Sequence, residues 1–127
     1  MNPARRYAQA VCETASPERL MVLLFQAALR NMRNGAAALE AGQPAEAGRA
    51  LTRASDIVLE LHATLDRSKA PELCDQLAEI YRFVTRQLGA AVLSRDPRTA
   101  REAERVFRPV AEAFDAAVAS LPNKRAR

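Results

Sequence analysis

Residues 14–42, TASPERLMVLLFQAALRNMRNGAAALEAG, set the architecture of this chain. Ser16 is a favourable helix N-cap, Pro17 fits the first helical position, and Gly42 supplies a stop. The roughly 25 residues between these signals predict a helix about 37 Å long. Six consecutive apolar residues, Leu20–Phe25, leave the start of this helix without a solvent-exposed face. We therefore expect the rest of the chain, an N-terminal arm or a partner to cover the segment on every side.

Proline also marks the start of three further helical windows. The four junctions are Ser16-Pro17, Gln43-Pro44, Ala70-Pro71 and Asp96-Pro97, spaced by 27, 27 and 26 residues. Short loops between rods of this length favour antiparallel neighbours. The sequence thus predicts an all-α, antiparallel up-down-up-down four-helix bundle over residues 16–122. A short N-terminal arm, residues 1–15, is expected to be free to move, and residues 123–127 form a basic tail.

The second, third and fourth windows, about 44–67, 71–94 and 97–121, have the apolar period of amphipathic helices. Glu104 precedes Arg108 by four residues, which favours an ion pair worth about 0.3 kcal/mol. Pro109 removes a backbone hydrogen bond within its window, so a kink is expected. The apolar side chains expected to face inward are Ala47, Ala50, Leu51, Ala54, Ile57, Val58, Leu61 and Leu65, then Leu73, Leu77, Ile80, Tyr81, Val84, Leu88 and Val92, and finally Ala103, Val106, Phe107, Val110, Phe114, Ala117, Val118 and Leu121.

The composition favours close-packed helices and an intracellular protein. Aromatic residues make up 5% of the chain and tryptophan is absent. No signal peptide and no bilayer-length apolar run occurs, so we expect a cytoplasmic protein without membrane insertion. The two cysteines, Cys12 and Cys74, are expected to be reduced thiols.

The sequence predicts no enzyme, no cofactor and no metal site. A di-iron bundle needs Glu-x-x-His pairs, and the chain has a single histidine, His62. The cysteines and the histidine belong to no nucleophile-and-base motif, and no glycine-rich phosphate loop is present.

Two binding functions of different classes are compatible with the residues. A net charge of +4 and a pI near 9.7 allow a basic helical-bundle nucleic-acid-binding protein as the alternative function. Arginines alternate with acids on every polar stripe, which argues against a basic footprint. A first helix without a solvent face favours an apolar groove for an amphipathic partner helix. Burial at the centre of the core explains the same apolar run equally well.

Short motifs follow one another in order over about residues 7–118. They are Tyr7-Ala8-Gln9 and Val11, Thr14-Ala15-Ser16-Pro17, Leu20-x-x-Leu23-Leu24-Phe25, Ala28, Ala54-x-Asp56-Ile57-Val58-x-Glu60-Leu61, Leu65-Asp66, Leu77, Ile80-Tyr81 and Arg86-Gln87-Leu88. Together they resemble the flagellar secretion chaperones, the FliS family. The chain departs from the family pattern at three places, which concern partner contacts more than the fold. Phe25-Gln26-Ala27 stands where the family has an acid and a glycine after the aromatic residue, and Phe114 replaces a tryptophan. In the third helix, Ile80-Tyr81-Arg82-Phe83 stands where the family often has Leu-Tyr-Asp-Tyr.

The resemblance implies an export chaperone that binds the disordered C-terminal region of flagellin. Such a protein prevents premature polymerisation and assists delivery to the flagellar type III export apparatus. The implied partners are the flagellin C-terminal segment and the export gate, with no nucleic acid, while a homodimer is left open. The arm is expected to compete for the cargo groove through Tyr7 and Val11, and Tyr7 is also linked to docking at the export gate.

We place the cargo groove on the second and third helices. Its predicted residues are Ile57, Leu61, Leu65, Tyr81, Val84 and Leu88. On this assignment, replacing Leu61 by Asp is expected to abolish cargo binding while the bundle stays folded.

Overall fold

Each helix begins at the proline that marks it in the sequence. The computed structural model describes residues 16–122, and the predicted arm and basic tail lie outside the described residues. The helices are α1 (Pro17–Glu40), α2 (Pro44–Ala63), α3 (Pro71–Ser94) and α4 (Pro97–Ala119). The bounds of α3 are those predicted, whereas α2 ends four residues and α4 two residues before the expected positions.

Side-chain caps form where the sequence provides good capping residues. Ser16 Oγ accepts a hydrogen bond from the Arg19 amide at 3.3 Å, and Asp96 Oδ1 accepts one from the Arg98 amide at 2.9 Å. Gln43 and Ala70 make no such bond. The early end of α2 coincides with local bonds: Thr64 Oγ1 donates to the Leu61 carbonyl, which competes with continued helix.

The four helices form the predicted bundle. α1 packs against α2 and α4, and α3 packs against the same two helices. Two ion pairs show that α1 and α4 are antiparallel, because Arg33 pairs with Glu104 whereas Glu40, further along α1, pairs with the earlier Arg101. The connections 41–43, 64–70 and 95–96 are short, as the bundle requires.

Three phenylalanines pack together between the first and last helices. Phe25 packs against Phe107 and Phe114, with ring centroids 5.6 and 5.0 Å apart. Within the apolar run, Leu24 and Phe25 are buried by the described residues, while residues 20–23 stay partly exposed. The largest fully buried side chains are those of Phe107, Met32, Leu51, Leu61, Leu88, Val58 and Val84.

Four inward predictions are wrong, and all concern helix ends. Leu73 and Val92 lie near the two ends of α3, Ala117 in the last turn of α4, and Leu121 beyond it; all are exposed. An apolar period assigns them to the core, but the neighbouring helices do not cover the ends of the bundle. The same period overlooks Cys74, which is buried.

Glu104 is a buried carboxylate held by three arginines, a larger arrangement than the predicted pair with Arg108. Arg108 Nη2 lies 2.6 Å from Glu104 Oε2, Arg33 Nε lies 3.1 Å from the same oxygen, and Arg101 Nη1 lies 3.3 Å from Oε1. Burial alone would raise the pKa of this carboxyl, but hydrogen bonds from Arg108, Arg33 and Arg101 outweigh it and hold the pKa below its ordinary value of 4.5. The cluster therefore ties α4 to α1 with an ionised carboxylate.

Replacing Glu104 by Gln is expected to lower the free energy of unfolding at pH 7 by roughly 1–3 kcal/mol, because buried charge-assisted hydrogen bonds are lost. A carboxyl whose pKa is lowered on folding stabilises above its unfolded pKa and loses that contribution as pH falls through its folded pKa. The gap between wild type and variant, measured by urea unfolding, should accordingly narrow as the pH is lowered below the ordinary pKa of 4.5. Glu102→Gln, which removes an exposed pair with Arg105, is the control and should change stability by less than about 0.5 kcal/mol. Equal losses in both variants would contradict this role for Glu104.

Gly35 of α1 lies directly against the side chain of Leu51 of α2. A Cβ placed there would lie 2.6 Å from Leu51 Cγ, and Leu51 is fully buried with no room to yield. Gly48 and Gly89, also helical, have nothing within 4 Å of the same position.

Gly35→Ala is expected to destabilise the bundle by roughly 1–3 kcal/mol through overpacking. Gly48→Ala and Gly89→Ala should instead stabilise it by about 0.5–1 kcal/mol, because alanine restricts the unfolded chain and favours helix. Urea unfolding of the three variants checks the opposite signs. Stabilisation by Gly35→Ala would show that the helices move apart without penalty.

Candidate cargo cleft

An apolar cleft opens at the end of the bundle where α1 and α3 begin and α2 and α4 finish. Its volume is about 600 Å³. Most of its lining atoms belong to aliphatic and aromatic side chains. The lining residues are Met21 and Phe25 of α1, Thr64, Leu65 and Asp66 after α2, Leu73, Cys74, Leu77 and Tyr81 of α3, and Pro109, Val110, Ala113, Phe114 and Ala117 of α4.

The cleft exists because the helices end at different heights and α4 carries small residues there. α2 stops at Ala63, so it gives less cover to the first turns of α3, and Leu73 is left 54% exposed. On α4, the small side chains of Ala113 and Ala117 leave space towards α3. The nearly buried rings of Phe25 and Tyr81 also line the cleft.

Four side chains that line the cleft carry polar groups: Thr64, Asp66, Cys74 and Tyr81. Burial raises the pKa of the Tyr81 phenol to about 12, and nearby Cys74 acts in the same direction, so the phenol is neutral at pH 7. The Thr64 hydroxyl donates its hydrogen bond to the Leu61 carbonyl. Asp66 supplies a carboxylate. Within residues 16–122 no group of three His, Cys, Asp or Glu side chains is placed to hold a metal ion.

The predicted groove residues are divided between the cleft and the core. Leu65 and Tyr81 both line the cleft. Ile57, Leu61, Val84 and Leu88 do not line it; all four are buried in the core, so their assignment to an open groove is wrong. The core and a groove produce the same apolar period, and that period cannot separate them. The predicted competitors Tyr7 and Val11 lie outside the described residues.

Sequence reasoning missed several cleft residues that belong to α1 and α4. The apolar period assigns Phe114 to the core, the run that contains Met21 and Phe25 fits core burial and a partner surface equally well, and Ala113 has no predicted role. One signal was present: Pro109, followed by small residues in an otherwise amphipathic helix, predicts a segment that packs less tightly. That signal does not identify the opposite wall of the cleft.

Seven of the thirteen arginines within residues 16–122 form ion pairs with acids. This pattern weakens the nucleic-acid alternative, which needs free cations gathered on one face. The ion-paired arginines are Arg33, Arg67, Arg82, Arg98, Arg101, Arg105 and Arg108. As for membranes, none of the helices in residues 16–122 has the length and apolar content needed to cross a bilayer.

Comparisons with known proteins agree with the resemblance found in the sequence. The family model described as flagellar protein FliS matches residues 1–121. The chain is 33% identical to the flagellar secretion chaperone FliS of Salmonella typhimurium over 115 residues, which cover 87% of this chain and 85% of the relative. It is 29% identical to the flagellar secretion chaperone FliS of Bacillus subtilis, covering 94% of this chain and 88% of the relative.

Leu61→Asp is now expected to unfold the bundle, contrary to the expectation from sequence, because it places an unpaired charge in a fully buried site. The loss should exceed about 3 kcal/mol. Leu59→Asp is the matched control on the same helix, since Leu59 is 53% exposed, and it should change stability by less than about 0.5 kcal/mol. Thermal unfolding followed by circular dichroism measures both. A Leu61→Asp variant of native stability would return Leu61 to the candidate groove.

Proposed function

We propose, because the chain belongs to the FliS family of flagellar proteins, that it is a cytoplasmic export chaperone whose apolar cleft receives the C-terminal region of flagellin. Its role is to hold that region until export, to prevent premature polymerisation, and to assist delivery to the flagellar type III export apparatus. The observation that carries the proposal is the apolar cleft between α3 and α4, found in a chain whose relatives are flagellar secretion chaperones.

The shape and chemistry of the cleft suit an amphipathic segment. Its volume of about 600 Å³ takes several aliphatic side chains, such as those spaced at i, i+3, i+4 and i+7 on a helix. A segment that orders on binding loses conformational entropy and must bury much apolar surface in return. Exposed Leu73 and the half-buried Leu77 and Phe114 supply such surface at the cleft.

The proposal also gives the arm, residues 1–15, a role, because the chain connects the arm directly to α1 at the end of the bundle where the cleft opens. Residues 1–15 lead into Ser16 and α1, and the second turn of α1 contributes Met21 to the cleft. A segment that begins at this end of the bundle competes with cargo through Tyr7 and Val11. Displacement of the arm would then free Tyr7 for the export gate, so that loading and docking are coupled.

Binding explains the observed chemistry better than catalysis does. The relatives carry the name of chaperones, and the cleft holds a neutral phenol, a hydroxyl bonded to the backbone and one carboxylate. The nucleic-acid alternative is not favoured, because seven of the thirteen arginines in residues 16–122 pair with acids.

Leu73→Asp is expected to weaken binding of the flagellin C-terminal segment by roughly 10- to 100-fold, because it removes an apolar anchor from the cleft and adds a charge there. Leu93→Asp is the matched control: Leu93 lies on the same helix, is 87% exposed and does not line the cleft. Both variants should remain folded. Calorimetric titration with the segment from the same organism's flagellin, at low and high salt, measures the effect.

Wild-type binding should be nearly independent of salt and show a negative heat-capacity change. Absence of binding by the wild type at either salt would overturn the proposed function. Equal weakening by Leu73→Asp and Leu93→Asp would move the cargo site away from this cleft.

A further inference from the structure

One charged side chain, Asp66, stands among the residues that line the cleft. It follows Leu65 directly and lies in the connection between α2 and α3. Its Oδ1 accepts hydrogen bonds from the Ser68 amide at 3.0 Å and the Ser68 hydroxyl at 2.5 Å. Both of these bonds are made to this one carboxylate oxygen.

The local turn does not require the negative charge. An asparagine makes the same side-chain bond to the backbone amide two residues on. The nearby Arg67 does not neutralise Asp66 either, because its guanidinium pairs with Asp75 at 2.9 Å. Hydrogen bonds from the Ser68 hydroxyl and amide lower the pKa of the Asp66 carboxyl, and the positive charge of Lys69 acts in the same direction, so the carboxyl is ionised at neutral pH. The cleft therefore presents an ionised carboxylate beside apolar walls.

We propose that Asp66 sets the charge specificity of the cleft, and that the segment filling it carries a lysine or arginine beside its apolar anchors. The inference rests on the proposed function and adds the chemistry that selects the cargo. The cation of the bound segment donates a hydrogen bond to Asp66, while the aliphatic side chains next to it enter the cleft.

Desolvation explains why a cation is selected over a neutral residue. A segment that fills the cleft removes water from the neighbourhood of the Asp66 carboxylate, which is unfavourable unless a donor replaces that water. A lysine or arginine provides a charge-assisted hydrogen bond, and a glutamate or aspartate at the same point is repelled. The apolar walls thus provide affinity, and Asp66 discriminates between segments of similar hydrophobicity.

A double-mutant cycle tests the inference by calorimetry on the full chain. The proteins are wild type, Asp66→Asn and the control Glu72→Gln, which removes an exposed carboxylate from the first turn of α3, outside the cleft. The ligands are the flagellin C-terminal segment and a version whose lysines and arginines are replaced by glutamine. Asp66→Asn is expected to weaken binding of the native segment roughly fivefold and to leave binding of the glutamine version unchanged. Glu72→Gln should change neither.

Equal weakening of both segments by Asp66→Asn would overturn the inference, because the loss would then be independent of the cation. Tighter binding by Asp66→Asn would also overturn it and would assign the carboxylate to a cation of this chain, such as Arg5 or Arg6 of the arm. In both cases the wild type still binds its cargo. If the wild type binds neither segment, the proposed function itself fails.

Discussion

The contact of Phe25 with Phe107 and Phe114 is the interaction on which the rest of the structure depends. It joins α1 to both halves of α4, because Phe107 lies in the first half of α4 and Phe114 in the second. Two of these three phenylalanines, Phe25 and Phe114, also line the cleft. Core packing and the candidate binding site therefore share side chains. On the proposed function, a segment bound in the cleft would contact groups that also hold α1 and α4 together, and binding is expected to stabilise the bundle.

The two halves of α4 are held in different ways. Its first half is fixed by buried Ala100, Ala103 and Phe107, and by the Glu104 cluster that reaches α1. After Pro109, only Ala111 is buried, and this second half forms one wall of the cleft. A proline at the junction removes the backbone hydrogen bond that would stiffen it. The first half of α4 is thus held by buried side chains, whereas the second half has fewer of them and forms one wall of the cleft.

Charge is arranged differently in the body of the bundle and at the cleft. Six arginines along the helices pair with acids, and Glu104 alone pairs with three of them. At the cleft the sign is reversed, because the charged residue in its lining is Asp66. A chain with a pI near 9.7 therefore has a negative group at its apolar cleft. Net charge describes long-range steering, whereas one side chain at the site governs the local contact.

The four helices, their starting prolines and the bundle topology were determined by the sequence alone, because caps and an apolar period of 3.6 residues are local signals. The tertiary structure decided which apolar residues are covered. Leu61 and Leu73 are both leucines on the apolar stripe of their helices, yet one is fully buried and the other exposed, since the end of α2 at Ala63 uncovers the start of α3. Burial of Glu104 among three arginines and the position of Asp66 at the cleft likewise depend on where separate helices meet, and no local pattern encodes that.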